Sequence, residues 1–307
     1  MVQTEGIIQV SNLQKTYNQF HVVKGISFSV QKGDLFAFLG TNGAGKSTTI
    51  DILCTLLKKT SGTVYIDGYK LDESNEEIRN KIGVVFQDSL LDDCLTVFEN
   101  IITRGYYYRL SKKQLHENYQ FVSEYLKLDD IKNRKYKSLS GGQRRRADIA
   151  RALIHKPKIL FLDEPTTGLD PKTRILVWDA IKRLKQETNM TIFLTTHYLE
   201  EAVVADQVVV LKDGSIISEG TPEQLKDHFA YDRLTISFKS TFNADVWLKE
   251  NKYSYMLDKS AYHFHLNSTI EAYEILKQLD GNIESFEVVK GSMEDVFINI
   301  IEERGVS

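Results

Sequence analysis

The segment Gly40–Ser47, called here the phosphate loop, combines residue types and spacing that could hold a chain of phosphates. It fits the pattern GxxxxGK[ST], in which glycines let backbone amides close around phosphate oxygens. A helix that begins near Gly45 would point its positive end at the same charge. Lys46 would reach the β- and γ-phosphates, and the Ser47 hydroxyl could bind Mg²⁺. The residues expected to contact the nucleotide here are Gly40, Thr41, Asn42, Gly43, Ala44, Gly45, Lys46, Ser47 and Thr48.

Two carboxylates follow a second apolar run, which reads KILFLDE and ends at Asp163 and Glu164. A buried strand in this place would leave both side chains at the carboxyl edge of a sheet, where α/β proteins bind ligands. Asp163 would hold Mg²⁺, directly or through water. Glu164 is the candidate general base for the water that attacks the γ-phosphate. A GTPase is the nearest alternative, but the guanine-reading motif NKxD fails after Asn80 and Lys81.

The segment Leu139–Gln143, called here the signature segment, reads LSGGQ and resembles the signature sequence of ATP-binding cassette (ABC) ATPases. Other landmarks of that family follow in its usual order across roughly residues 5–225. Tyr17 lies where the family stacks an aromatic ring on adenine, and Gln87 resembles its Q-loop glutamine. The resemblance implies an ATPase that uses ATP and Mg²⁺. Its catalytic residues would be Lys46, Gln87, Glu164 and His197, the last resembling the family's switch histidine, and its metal ligands Ser47, Gln87 and Asp163.

The resemblance also implies a second copy of the chain. Ser140, the amides of Gly141 and Gly142, and the helix starting at Gln143 would form another anion-binding helix start. An inserted helical subdomain would carry this segment away from the phosphate loop of its own chain. The family solution is a head-to-tail dimer that holds two ATP molecules between opposed half-sites. Asp170, in a segment that resembles the family's D-loop, would lie at the same interface.

Short apolar runs alternate with amphipathic segments over the first 220 residues, and this pattern predicts an α/β fold that would position these residues. Almost continuously apolar runs favour strands covered on both faces, as in a mainly parallel sheet. A helix over Thr48–Leu57 should follow the phosphate loop. The predicted strands are Ile7–Leu13, Val22–Val30, Asp34–Leu39, Gly62–Ile66, Ile82–Phe86, Ile159–Leu162, Thr191–Thr195 and Gln207–Leu211.

Two further regions differ from this alternation. About residues 88–137 contain helical patterns alone, including a capping box at Thr96–Glu99 and a helix over Lys112–Leu126. After Thr221 and Pro222, the order βαββαβα predicts a small α+β domain. We therefore expect a P-loop NTPase core of the ABC ATPase type over residues 1–225, with an inserted helical subdomain, and an accessory domain over 230–307.

Composition restricts the function classes further. The chain has 307 residues and a formal net charge of −3, which gives no overall bias toward nucleic acid. The run Arg144–Arg146 could suggest a nucleic-acid contact, but it opens a helix and is read as a solvated or packed face. The start of the chain lacks a signal-peptide pattern, and no apolar stretch is long enough to span a bilayer. Work at a membrane would therefore require a partner protein.

The end of the chain, with Gly291–Ile298 reading GSMEDVFI, resembles bacterial ATP-binding subunits of the daunorubicin-resistance type, which export drugs, antibiotics or lipids. This predicts a subunit at the cytoplasmic face of the membrane, attached through a separate permease that the helical subdomain would contact. An importer subunit, a soluble ABC ATPase acting on ribosomes or DNA, and a non-catalytic nucleotide-binding protein are the alternatives. The transported molecule is not encoded in this chain, because cargo contacts the permease.

Overall fold

The computed structural model describes residues 6–251, 253–258, 261–266, 268–279 and 281–303. Its chain divides into two compact units, Met1–Thr221 and Pro222–Ser307. In the first unit the strands are β1 (Ile8–Tyr17), β2 (Phe20–Val30), β3 (Leu35–Gly40), β4 (Ser61–Ile66), β5 (Tyr69–Lys70), β6 (Ile82–Val85), β7 (Ile159–Asp163), β8 (Thr191–Thr196), β9 (Gln207–Lys212) and β10 (Ser215–Gly220). The helices are α1 (Lys46–Leu53), α2 (Asn75–Lys81), α3 (Val97–Tyr107), α4 (Lys112–Leu126), α5 (Gly141–Leu153), α6 (Pro171–Thr188) and α7 (Leu199–Ala202).

The first unit contains two sheets. The larger has the order β10-β9-β3-β8-β7-β6, and all its pairs are parallel except β10 with β9. The smaller, β2-β1-β4-β5, is antiparallel. In the parallel sheet β3, β7 and β8 are neighbours, so the segments after Gly40, Asp163 and Thr196 leave the sheet at one edge. The predicted α/β core is confirmed.

Aromatic packing joins the two sheets. Phe28 of β2 lies 5.4 Å, ring centre to ring centre, from both Phe36 and Phe38 of β3. Phe193 of β8 completes the cluster at 5.2 Å from Phe36. Strands β3, β7 and β8 are buried along their whole length, as their continuous apolar sequences predict. This packing fixes the strand ends that carry the candidate site.

Helices α3 and α4 lie in the segment between β6 and β7, ahead of α5. Each begins with a complete capping box, Thr96 with Glu99 in α3 and Ser111 with Gln114 in α4. The box at Thr96 and the bounds of α4 are those that the sequence predicts. Within the described part of the chain, no helix has the length and apolar content that crossing a membrane requires.

The second unit has the element order αβαββαβα and one antiparallel sheet, β12-β13-β11-β14. Leu234, Ile236 and Phe264 of this sheet form a core with Leu248 and Ile275 of the helices. Its elements are α8 (Pro222–Phe229), β11 (Asp232–Phe238), α9 (Ala244–Asn251), β12 (Met256–Asp258), β13 (Ala261–Leu266), α10 (Thr269–Gln278), β14 (Ile283–Val289) and α11 (Met293–Glu303).

The structure corrects the sequence prediction in several places, since β5 and α2 were not predicted and β1 continues beyond Leu13 to Tyr17. Helix α1 covers Lys46–Leu53 rather than Thr48–Leu57. Its start agrees with the expected position near Gly45, and Thr55 shortly beyond its end has a left-handed backbone with φ of 64°. Strand β10 was not predicted. It pairs with β9 through a tight turn at Asp213–Gly214, a dipeptide that favours two-residue hairpins. That dipeptide was the signal available in the sequence.

Candidate active site

The phosphate loop connects the end of β3 to the start of α1. Gly45 is the N-cap of α1 and has a φ of 100°, where a side chain would be strained. A Cβ atom there would also come within 2.8 Å of the Val22 carbonyl oxygen. No side chain caps α1, so its first amides remain available to an anion. This geometry is suited to binding phosphate.

Lys46 is buried beneath the loop that precedes it, with 5% of its side chain exposed. Its ammonium group donates hydrogen bonds to the carbonyls of Gly40, at 2.8 Å, and Thr41, at 3.1 Å. Burial lowers the pKa of Lys46, and the nearby charges of Glu164 and Asp163 oppose that shift. The lysine Nζ is 3.9 Å from Glu164 Oε1. The phosphate loop and the end of β7 therefore share one charged centre.

Asp163 lies at the end of β7 and is also buried, with 7% exposed. The Thr195 hydroxyl of the neighbouring strand β8 donates a hydrogen bond to it, and Ser47 hydrogen bonds to it as well. Burial raises the pKa of Asp163, although these hydrogen bonds and Lys46 act in the opposite direction. The contact with Ser47 brings together two of the three predicted magnesium ligands.

Glu164, the next residue, has an unusual backbone for a residue with a side chain, at φ of 45°. Its amide donates to the Thr195 carbonyl at 3.1 Å, which fixes the peptide against β8. Glu164 Oε2 accepts a hydrogen bond from Thr167 at 3.2 Å. His197 Nδ1 is 3.2 Å from Glu164 Oε1, without the alignment of a hydrogen bond. Strained residues of this kind are concentrated at functional sites.

The signature segment lies at the start of helix α5, which begins at Gly141, two residues before the predicted start at Gln143. Ser140 is the N-cap and forms a capping box with Gln143. The next turn packs closely on α6, because a Cβ atom at Gly142 would lie 2.0 Å from Cγ2 of Thr173. At Gly141 a Cβ would meet only Leu169, at 3.6 Å. Among the described residues, no hydrogen bond or ion pair joins this segment to the phosphate loop.

The remaining predicted residues lie around this centre. Gln87 is exposed and follows β6. Tyr17 ends β1, is 44% exposed and has Lys15 Nζ 4.7 Å from its ring centre. Asp170 caps α6 by accepting hydrogen bonds from the Thr173 amide, at 3.0 Å, and hydroxyl, at 2.5 Å. These bonds lower the pKa of Asp170.

Arg145 is a residue of this site that the sequence interpretation missed. Its guanidinium is buried and donates to the carbonyls of Phe86, Asp163, Glu164 and Pro165. The signal was present, because Arg145 precedes Ile149 and Leu153 at helical spacing, on the apolar side of α5.

Comparison with known proteins gives two family matches. Residues 23–167 match the family described as ABC transporter. Residues 220–301 match the C-terminal domain of ATP-binding proteins described as DrrA1-3-like.

Individual relatives agree with these matches. Over 305 residues the chain is 32% identical to the linearmycin resistance ATP-binding protein LnrL of Bacillus subtilis (strain 168), which spans 96% of this chain and 98% of the relative. Over 225 residues it is 40% identical to the daunorubicin/doxorubicin resistance ATP-binding protein DrrA of Streptomyces peucetius, with 73% of this chain and 68% of the relative covered.

Solved structures resemble the first part of the chain. The cbiO1 protein of Clostridium perfringens, described as part of the ABC transporter complex cbiONQ, aligns with a TM-score of 0.67 and 30% identity over 72% of this chain and 90% of its own. The ATP-binding cassette MJ0796, described as a dimer in a post-hydrolysis state bound to ADP and Pi, aligns with a TM-score of 0.64 and 32% identity over 70% and 98%. With the phosphate loop, the acidic strand end and the signature segment in place, the chain belongs to the ABC transporter ATP-binding proteins and is an ATPase.

Proposed function

We propose that this chain powers a bacterial exporter by binding two ATP molecules between two copies of itself, or between itself and a homologous ATPase, and hydrolysing them. The observation that carries the chemistry is the convergence of Lys46 and His197 on one oxygen of Glu164, at 3.9 Å and 3.2 Å. A cation for the phosphates, a base for the water and an imidazole beside that base thus share one edge of the sheet.

In this proposal Glu164 accepts a proton from the attacking water. The water oxygen bonds to the γ-phosphorus as the bond from that phosphorus to the bridging oxygen breaks, which leaves ADP and phosphate. Lys46 stabilises the charge on the transferred group. His197, which lies beside Glu164, would orient the base and contact the γ-phosphate. Tyr17 would stack on the adenine.

The residues present fit a magnesium ion. Asp163 is a buried carboxylate whose direct hydrogen-bond partners are hydroxyls, so its charge has room for a cation. Ser47, Asp163 and Gln87 would hold Mg²⁺, which neutralises phosphate charge in enzymes of this chemistry. Oxygen ligands of this kind are the ones Mg²⁺ prefers.

The second half-site would come from the partner copy. Ser140, Gly141, Gly142 and Gln143 begin α5, and the amides of this turn could hold the γ-phosphate bound to the other chain. Asp170 would lie at the same interface. ATP then joins the two copies, and hydrolysis lets them separate.

A groove of about 670 Å³ between α2, α3 and the segment after β6 supports docking to a permease. Exposed apolar side chains line it, with Leu90 63% and Tyr107 78% exposed. Among the charged residues that line it, Arg79, Arg104 and Arg151 outnumber Glu76, so the groove carries net positive charge. The groove therefore fits an amphipathic helix with acidic residues, and a permease segment of that chemistry would place this chain on the cytoplasmic face of the membrane.

The cargo class follows from the relatives. A match to DrrA1-3-like proteins over residues 220–301 and resistance proteins among the relatives support export of a drug, antibiotic, lipid or similar amphiphile. We assign ATP chemistry to residues 1–225, with the helical subdomain at about 88–137, and an accessory role to residues 230–307.

Glu164→Gln tests the hydrolysis step. Because an amide cannot accept the proton, the turnover rate should fall at least about 100-fold. ATP binding should persist, so size-exclusion chromatography should show a dimer that forms with ATP. Glu200→Gln, an exposed carboxylate beyond His197, is the matched control. An unchanged ATPase rate in Glu164→Gln would remove this residue from the base role.

Tyr107→Asp tests the docking groove. A carboxylate in this position would repel an acidic partner helix, so less of the permease encoded in the same operon should co-purify. Tyr273→Asp is the control, since Tyr273 is 65% exposed and lies in the second unit. Equal loss of the permease in both variants would contradict the proposed surface, provided that both retain ATPase activity.

A further inference from the structure

Helix α5 carries a buried arginine whose hydrogen-bond partners are backbone carbonyls. Arg145 has 6% of its surface exposed. Its Nε donates to Pro165 O at 2.5 Å, and Nη1 donates to Phe86 O at 2.5 Å. Its Nη2 donates to Asp163 O at 3.0 Å and to Glu164 O at 3.1 Å. One side chain thus binds four carbonyls from two segments of the site.

These contacts hold the Glu164 peptide from two sides. The amide of Glu164 donates to Thr195 O at 3.1 Å, while Arg145 binds its carbonyl. The left-handed backbone of Glu164, at φ of 45°, determines where the carboxylate points. Such a conformation persists only where the surroundings fix it. Arg145 is therefore in a position to set the direction of the proposed base.

Burying a guanidinium beneath a strand end is costly. Burial lowers the pKa of Arg145, while the charges of Asp148 and Asp163 oppose that shift, and none of its four hydrogen bonds is to a carboxylate. Replacing buried charged groups by apolar residues of similar volume is often neutral or stabilising. Packing alone therefore does not account for an arginine at this position. The planar guanidinium accounts for it, because its donors bind four carbonyls at once.

We propose that Arg145 is a positioning residue, which fastens the Glu164 backbone and the start of the Gln87 segment to helix α5. A second contact holds the segment that follows Gln87 in the chain. Asp148, one turn along α5, accepts a hydrogen bond from Ser89 at 2.6 Å. Tyr136, just before the signature segment, donates to Ser89 at 2.7 Å. The Gln87 turn is thus tied to α5 on both sides.

This inference rests on the proposed function and extends it. Helix α5 begins with the signature segment, which would contact the ATP bound to the partner copy. The same helix holds the base and the glutamine that act on the chain's own ATP. A displacement at one ATP would therefore be carried through a single helix to the other.

The test compares Arg145→Gln and Arg145→Lys with Arg146→Gln in the full chain. Arg146 is a matched control, because it also donates to two carbonyls, Leu126 O at 3.1 Å and Lys127 O at 2.7 Å, at the end of α4. ADP titration calorimetry counts the nucleotide sites that remain and gives their affinity. Steady-state ATPase assays then give kcat for each remaining site.

We expect kcat for each site to fall about 10- to 100-fold in Arg145→Gln, because a displaced base loses rate steeply with distance. Lysine keeps the positive charge but lacks the planar set of donors, so kcat for each site should fall about tenfold in Arg145→Lys. If Arg145→Gln does not fold, Arg145→Lys is the variant that tests the inference. The ADP affinity should change less than about threefold, since Arg145 does not contact the phosphate loop. Arg146→Gln should keep its rate.

Two outcomes would overturn the inference. One is a kcat for each site within about twofold of wild type in the Arg145 variants that fold. The other is an equal loss in Arg146→Gln, which would indicate general destabilisation of α5. A wild-type chain that does not hydrolyse ATP, or a Glu164→Gln variant that does, would instead refute the proposed function.

Discussion

Gly142→Ala should destabilise the first unit through a single steric contact. The added Cβ would lie 2.0 Å from Thr173 Cγ2 and 3.2 Å from Thr173 Cβ. Carbon atoms pack at about 3.5–4.0 Å, so one of the two helices must shift by more than about 1.5 Å. Thr173 cannot rotate away freely, since its hydroxyl donates to Asp170 at 2.5 Å.

The magnitude follows from two opposing effects. An alanine in a helix is favoured over glycine by about 0.5–1 kcal/mol, whereas overpacking costs about 1–3 kcal/mol. At Gly141 only the first effect operates, because the nearest atom is Leu169 Cδ2 at 3.6 Å. Gly142→Ala should therefore be less stable than Gly141→Ala by about 1–3 kcal/mol, which is about 2–12 °C in Tm for a unit of this size.

Differential scanning calorimetry measures this difference, with added ADP identifying the transition of the nucleotide-binding unit. Thr173→Ser removes Cγ2 and keeps the hydroxyl group that donates a hydrogen bond to Asp170. The double variant Gly142→Ala/Thr173→Ser should regain most of the lost Tm, and a double-mutant cycle gives the interaction energy. Equal Tm values for the two alanine variants, or no recovery in the double variant, would refute the steric explanation.

Two pH effects should follow from burial. Burial lowers the pKa of His155, stacked on Tyr108 at 3.7 Å, to about 4 from 6.5. The unfolded chain therefore binds a proton at His155 more readily than the folded chain does, and acidification from pH 8 to pH 5 should lower the free energy of unfolding by about 2 kcal/mol. This loss should be absent in His155→Phe, as measured by denaturation of both proteins at pH 8 and at pH 5. Burial raises the pKa of Asp163 in the folded chain above the 3.8 of the unfolded chain. Ionisation of Asp163 therefore lowers the stability of the fold as the pH rises from below 3.8 to neutral. The Tm of Asp163→Asn relative to wild type should therefore increase from pH 3.5 to pH 7 in magnesium-free buffer, and a constant difference would contradict this.

Much of the fold was predictable because its signals are local. Continuous apolar runs identified β3, β7 and β8, and their parallel pairing places the residues that follow them at one edge. A capping box at Thr96 identified the start of α3, since a side chain that binds its own backbone needs no distant partner. The phosphate-loop pattern placed the start of α1 near Gly45, although no side chain caps this helix.

Other features depend on contacts far apart in sequence. Thr195 donates to Asp163 across 32 positions, and nothing in the run TIFLTT indicates that its hydroxyl faces the acidic strand. The burial of Arg145 could not be separated from that of its neighbours by residue type. The three arginines differ only in the side of α5 on which each lies. If α5 were rotated by one residue, each arginine would take the direction of its neighbour.

The arginine run shows why the side on which each arginine lies determines the site. Arg144 donates to Lys137 O at 2.9 Å and lies over the ring of Tyr136, so it braces the turn before the signature segment. Arg146 binds the end of α4. Arg145 alone reaches the acidic strand end. Three identical residues thus join α5 to three different segments, and these contacts account for the run without a nucleic-acid partner. In the proposed dimer, Arg145 would attach the chain's own base to the helix whose first turn faces the partner's ATP, so a displacement of one half-site would move the other.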